Sequence, residues 1–131
     1  MIEPAVIEPV FQKSSSDCAV ACLAMLLGVS YAEVLAATSK RAKVKATGMS
    51  DRQILATAKK LGMTIKHRTS PPEDDEFGMV YLQRGKDDGH VALHLRGGYI
   101  IDPADGLIFT DVAAFLLAKD WTIGGFYTRE A

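Results

Sequence analysis

The chain has 131 residues, 48% apolar and 24% charged, the proportions of a globular protein long enough to bury a core without disulfide staples. A formal net charge of -1 leaves no basic excess to recruit nucleic acid or an anionic membrane. The start, MIEPAVIEPVF, has no positive n-region, and the longest apolar stretch, Cys18 to Val29, is broken by Gly28 and too short to span a bilayer, so neither a signal peptide nor a membrane segment is expected.

Taken in chain order, the residues read as one domain over 1–131, with no repeat, low-complexity run or linker. The first ten residues alternate apolar side chains with Glu-Pro pairs and read as extended. Asp17 to Leu27 is apolar nearly all round, which predicts a helix buried in the middle of the domain and ended by Gly28. Ser30 with Glu33 forms a capping box for a short helix to about Thr38, and Ser50 with Gln53 another for Asp51 to Leu61, stopped at Gly62. Ile54, Leu55, Ala58 and Leu61 give that helix its apolar stripe.

From Met63 the period changes to two. Met63, Ile65 and His67 alternate with Thr64, Lys66 and Arg68, which predicts a strand with His67 partly buried. Met79 to Gln83 is a second strand, and the Pro-rich acidic stretch before it, SPPEDD, is a surface loop. His90 to Leu95 and Tyr99 to Asp102 form a hairpin at Gly97-Gly98. Thr110 caps a helix over Asp111 to Ala118, and Ile123 to Thr128 is a closing strand. Helices first and strands mostly afterwards make an α+β layout with an antiparallel sheet.

The two cysteines, Cys18 and Cys22, stand one helical turn apart on one face, which does not favour a disulfide. A reducing compartment, the cytoplasm, is therefore the expected location. Cys18 follows Ser14-Ser15-Ser16 and Asp17, all helix-capping residues. At the first helical position its sulfur faces unpaired N–H groups and the positive end of the helix dipole, which favour a thiolate, the form that attacks carbonyl carbon. The plainer alternative is a small core residue, and Cys22, deeper in the same helix, reads as that.

A cysteine nucleophile needs a base, and the chain offers His67, His90 and His94. His90 and His94 share one face of one strand. Asp102 is the nearest orienting carboxylate in the hairpin. A three-residue loop Leu95-Arg96-Gly97 sets His90 opposite Asp102 and leaves His94 roughly 13 Å away along the strand. A two-residue Gly97-Gly98 turn puts Asp102 on the other face from both histidines. Gln12, six residues before Cys18, has a side-chain amide suited to an oxyanion hole.

The segment Gln12 to Gly28, QKSSSDCAVACLAMLLG, resembles the catalytic segment of the double-glycine-leader (bacteriocin-processing) peptidases of the papain-like superfamily. Gln12, Asp17, Cys18, Ala21, Cys22, Leu23, Met25 and Gly28 fit that pattern. Gly48 to Gly62 is similar to the family's next helix, His90-Val91-Ala92-Leu93 to its histidine strand and Ile101-Asp102-Pro103 to its Asp-Pro, so the likeness runs from Gln12 to Pro103. It implies a papain-like fold in which Gln12 serves the oxyanion hole, Cys18 is the nucleophile, His90 the general base and acid, and Asp102 the orienting group. It implies a peptide or protein substrate and no cofactor.

Two departures stand out. Ala19 replaces the family's glycine, and its methyl is expected to narrow the site. The best-known relatives are domains of peptide-exporting transporters, whereas these 131 residues hold no transmembrane or nucleotide-binding part, so a double-glycine leader is one candidate substrate among several. The loop Ser70 to Gly78 is a candidate wall of the specificity pocket. Rival readings are a non-catalytic peptide-binding domain of the same fold, and a transglutaminase, amidase or isopeptidase on the same triad. A further rival is a zinc site drawn from Cys18, Cys22, His90 and His94.

Overall fold

The computed structural model describes residues 18–38, 51–85 and 88–129. The expectations for the extended first ten residues, for Asp17 as a cap, for Gln12 and for the Ser50 capping residue lie outside these. Three helices come first: α1 (Cys18–Leu27), α2 (Tyr31–Ala37) and α3 (Asp51–Lys60). Strands β1 (Ile65–Arg68), β2 (Gly78–Arg84), β3 (Asp88–Leu95), β4 (Tyr99–Ile101) and β5 (Ile108–Phe109) follow, then α4 (Val112–Lys119) and β6 (Thr122–Arg129). The strands make one six-stranded antiparallel sheet in the order β1-β6-β2-β3-β4-β5. The fold is α+β, with a helical N-terminal part and a C-terminal antiparallel sheet.

The start of the chain's helical part follows the local signals. Every residue of α1 after Cys18 is buried, so tertiary packing rather than propensity holds this helix. Leu23 and Leu26 alone, both fully buried, each contribute about 1.5–3 kcal/mol of transfer free energy. α2 begins at the expected capping box: Glu33 N donates to Ser30 Oγ at 3.0 Å and Ser30 N to Glu33 Oε1 at 3.1 Å. Gly28 and Gly62 both take the left-handed conformation at the expected helix stops.

The sheet is covered on both faces, and the alternation along its strands sorts the core into two clusters. Met79, Val91, Leu93, Ile101 and Tyr127 pack against α1 and its neighbours. Val80, Leu82, Ala92, Ile100 and Phe126 pack against Phe115 of α4. α1 thus lies on β3, where Cys22 Sγ stands 3.6 Å from Val91 O.

Two local expectations need correction. Asp111, not Thr110, caps the last helix: its Oδ1 accepts from Ala113 N at 2.8 Å, and the helix runs one residue further, to Lys119. A carboxylate is the stronger acceptor for the open N–H groups and the better match to the dipole. The hairpin has neither register considered from the sequence. Leu93 pairs Ile101, His94 pairs Ile100 and Leu95 pairs Tyr99, so the loop is Arg96-Gly97-Gly98, with both glycines at positive φ (96° and 85°). Two successive glycines make this loop accessible without steric cost.

Candidate active site

The observed register carries Asp102 past the end of β4, where it stands diagonal to His90 rather than opposite it, and on the same face. The two side chains still meet: His90 Nε2–H donates to Asp102 Oδ1 at 2.7 Å. Asp102 is 2% exposed and His90 8%, so water competes little for this bond. The carboxylate is built into its loop. Oδ1 also accepts from Ala104 N at 2.9 Å, Asp102 N donates to Leu107 O at 3.1 Å, and Gly106 N to Asp102 O at 2.7 Å.

Cys18 opens α1 and is partly exposed, and it interacts electrostatically with the same imidazole. With Nε2 committed to Asp102, Nδ1 is the ring nitrogen left for a second partner. Burial alone would lower the His90 pKa. The hydrogen bonds to Asp102 and to Cys18, with their charges, outweigh it and raise the value to about 9. For Asp102, burial likewise opposes ionisation, and the bonds from His90 and the Ala104 N–H overcome it to hold the carboxyl below its ordinary value. The balance around His90 therefore favours its protonated form, with the Asp102 carboxylate as its hydrogen-bond partner.

The remaining candidates separate from this group. Cys22 is fully buried; burial pushes its thiol well up, and its S–H points at Val91 O, 3.6 Å away. It is a core residue, as expected. His94 is fully buried at the far end of β3, with Nδ1–H donating to Glu76 O at 2.7 Å, and its Nε2 makes no hydrogen bond. His67 is exposed rather than partly buried and stacks on Tyr127 with ring centroids 4.5 Å apart, on the edge strand β1. Among the described residues no group of three or more His, Cys, Asp and Glu is arranged to hold a metal.

The loop before β2 sits at the His94 end of the sheet: Gly97 N donates to Asp74 O at 2.7 Å and Arg96 Nη1 to Asp75 O at 2.8 Å. It is pinned to the hairpin, at the end of β3 away from His90. Ala19 is buried in the helix-side core, so its methyl contributes to packing rather than narrowing the site.

Residues that sequence reasoning passed over complete the surroundings. Trp121 stacks on the His90 ring with centroids 5.5 Å apart and an interplanar angle of 18°. Lys119 Nζ reaches Asp105 Oδ2 at 2.6 Å and Asp102 Oδ2 at 3.5 Å. The only local hint was that both stand at the expected end of the last helix, next to a strand.

Comparison with protein families matches residues 7–83, more than half of the chain, to the Peptidase C39 family. The chain belongs to the peptidase C39 family. It is accordingly a cysteine peptidase, a hydrolase whose substrates are peptides or proteins. The matched span of this C39 peptidase includes Gln12, Cys18 and Cys22 and stops before His90 and Asp102. None of the curated proteins matches the sequence. Among the described residues no single helix is long and apolar enough to cross a membrane.

Proposed function

We propose that this C39 peptidase is a papain-like domain over residues 1–131 that cleaves peptide bonds with a Cys18-His90-Asp102 triad. Gln12 serves the oxyanion hole beside the Cys18 backbone N–H. The observation that carries the reading is the buried His90 imidazole held by the Asp102 carboxylate at 2.7 Å, with Cys18 among the groups that raise its pKa. For Gln12 the support is its spacing from Cys18 and the family resemblance.

In the first half-reaction the Cys18 sulfur attacks the scissile carbonyl carbon, and the developing oxyanion takes hydrogen bonds from Gln12 and the backbone N–H. His90 gives its proton to the departing amine, leaving an acyl thioester on Cys18. In the second, His90 takes a proton from water, the hydroxide attacks the thioester, and the acid product leaves with the thiolate restored. Asp102 keeps the imidazole in one orientation and stabilises its cationic form throughout. A substrate cut after a Gly-Gly-type sequence fits the resemblance, and both cysteines being free fits work in the reducing cytoplasm.

The test is to trap the thioester. A Gly-Gly-containing peptide mixed with the protein and quenched in acid is expected to add its acyl mass to the tryptic peptide holding Cys18. Hydroxylamine should then release it as the hydroxamate. Turnover with no adduct at Cys18, or an adduct on another residue, would contradict the mechanism. Release of amine-coupled product in preference to free acid would make the enzyme a transferase on the same triad.

A further inference from the structure

The end of α4 touches both partners of the His90–Asp102 pair. Lys119 Nζ lies 3.5 Å from Asp102 Oδ2, the oxygen that neither His90 nor Ala104 uses, and Trp121 covers the His90 ring. Between them Asp120 ends the helix in a left-handed conformation (φ 59°, ψ 47°), which aspartate adopts more readily than most non-glycine residues. Arg84, at the end of β2, braces this turn. Its Nη2 donates to Lys119 O, its Nε donates to Asp120 O at 3.1 Å, and its guanidinium carbon lies 3.9 Å over the centre of Trp121. Helix-terminal carbonyls have no partner within the helix, so a planar fork with several donors is well suited to closing them.

We propose that Arg84 is a positioning residue of this peptidase: by clasping Lys119, Asp120 and Trp121 it seats Lys119 on Asp102 and Trp121 on His90, and so keeps the imidazole aligned with Cys18. The inference rests on the assignment of His90 as acid and base. The ionisable groups around the pair are Cys18 and Cys22 from α1, Asp102 and Asp105 from the loop after β4, Lys119 and Asp120 from the end of α4, and Arg84 itself.

The sign of the pH effect separates clasp from charge. If Arg84 acted only as a distant cation, removing it would stabilise the His90 cation and move the alkaline limb of activity upward. If Arg84 is the clasp, its loss lets Trp121 and Lys119 drift, admits water to the His90–Asp102 bond, and moves the limb downward.

The test measures kcat, KM and the pH profile for Arg84→Met, which keeps an apolar stem, and for Arg84→Lys, which keeps the charge but loses the fork. Arg84→Met is expected to lower kcat about tenfold or more with KM little changed, and to lower the alkaline limb by about one pH unit. Arg84→Lys should fall in the same direction by less. NMR titration of His90 in a Cys18→Ala background, with and without Arg84→Met, should give the same downward movement without using activity. Unchanged kcat and limb in both folded variants, with only thermal stability lowered, would overturn the proposal, as would an upward move. Should Arg84→Met not fold, Arg84→Lys decides alone. Activity retained in His90→Ala would instead strike the underlying assignment, whatever the Arg84 variants do.

Discussion

Cys18→Ala is expected to lower peptide hydrolysis by at least about 10⁴-fold while leaving the fold in place. The loss is large because the covalent route disappears; binding and oxyanion donors remain, but no atom is left to form the thioester. The fold survives because Cys18 is the one residue of α1 that is not buried, and alanine is the best helix former. The cost in stability should stay below about 1 kcal/mol by denaturant unfolding. The same change at Cys22 acts in the opposite way. It leaves the nucleophile untouched and opens a small cavity in the core, so activity persists and stability falls. A Cys18→Ala protein that hydrolyses peptide near the wild-type rate would rule out Cys18 as nucleophile.

The second large effect belongs to Asp102. His90 is raised to about 9 against its own burial, chiefly by the hydrogen bond to Asp102. Both the resting cation and the proton donated to the leaving amine require protonated His90, so activity should decline as pH rises through about 9. Asp102→Asn keeps the shape and an acceptor oxygen for Nε2–H but removes the charge. Burial then acts with less opposition, and the alkaline limb should move down toward or below the ordinary histidine value of about 6.5, with kcat near neutrality reduced roughly 10²-fold. A pH–rate series on the two proteins checks this. An alkaline limb that stays in place in Asp102→Asn would show that the carboxylate does not control the base.

The relation of sequence to structure is clearest at the hairpin. A three-residue loop put His90 and Asp102 on one face, and that survives, but the loop is Arg96-Gly97-Gly98 rather than Leu95-Arg96-Gly97, which shifts the register. The glycines at 97 and 98 admit several tight loops of similar cost, and only packing of Ile100 and Ile101 against opposite sides of the sheet selects among them. The Cys18 helix and the capping box at Ser30 were legible because their signals lie within a few residues. The Arg84–Lys119 and Trp121–His90 contacts were not, because they join segments more than thirty residues apart through backbone carbonyls and ring faces, which leave no mark in local periodicity. His67 misled because strand alternation says which residues share a face, not how far the cover over that face reaches along an edge strand: Ile65 is buried on the same face and His67 is exposed.

The central claim is an activated sulfur at Cys18 facing His90, and alkylation tests it most directly. Iodoacetamide at about pH 6 to 7, with labelled peptides identified by mass spectrometry, should modify Cys18 at least about tenfold faster than a free thiol, leave buried Cys22 unmodified, and lose that rate advantage in His90→Ala. Labelling of Cys18 no faster than glutathione, and indifferent to His90, would contradict the account.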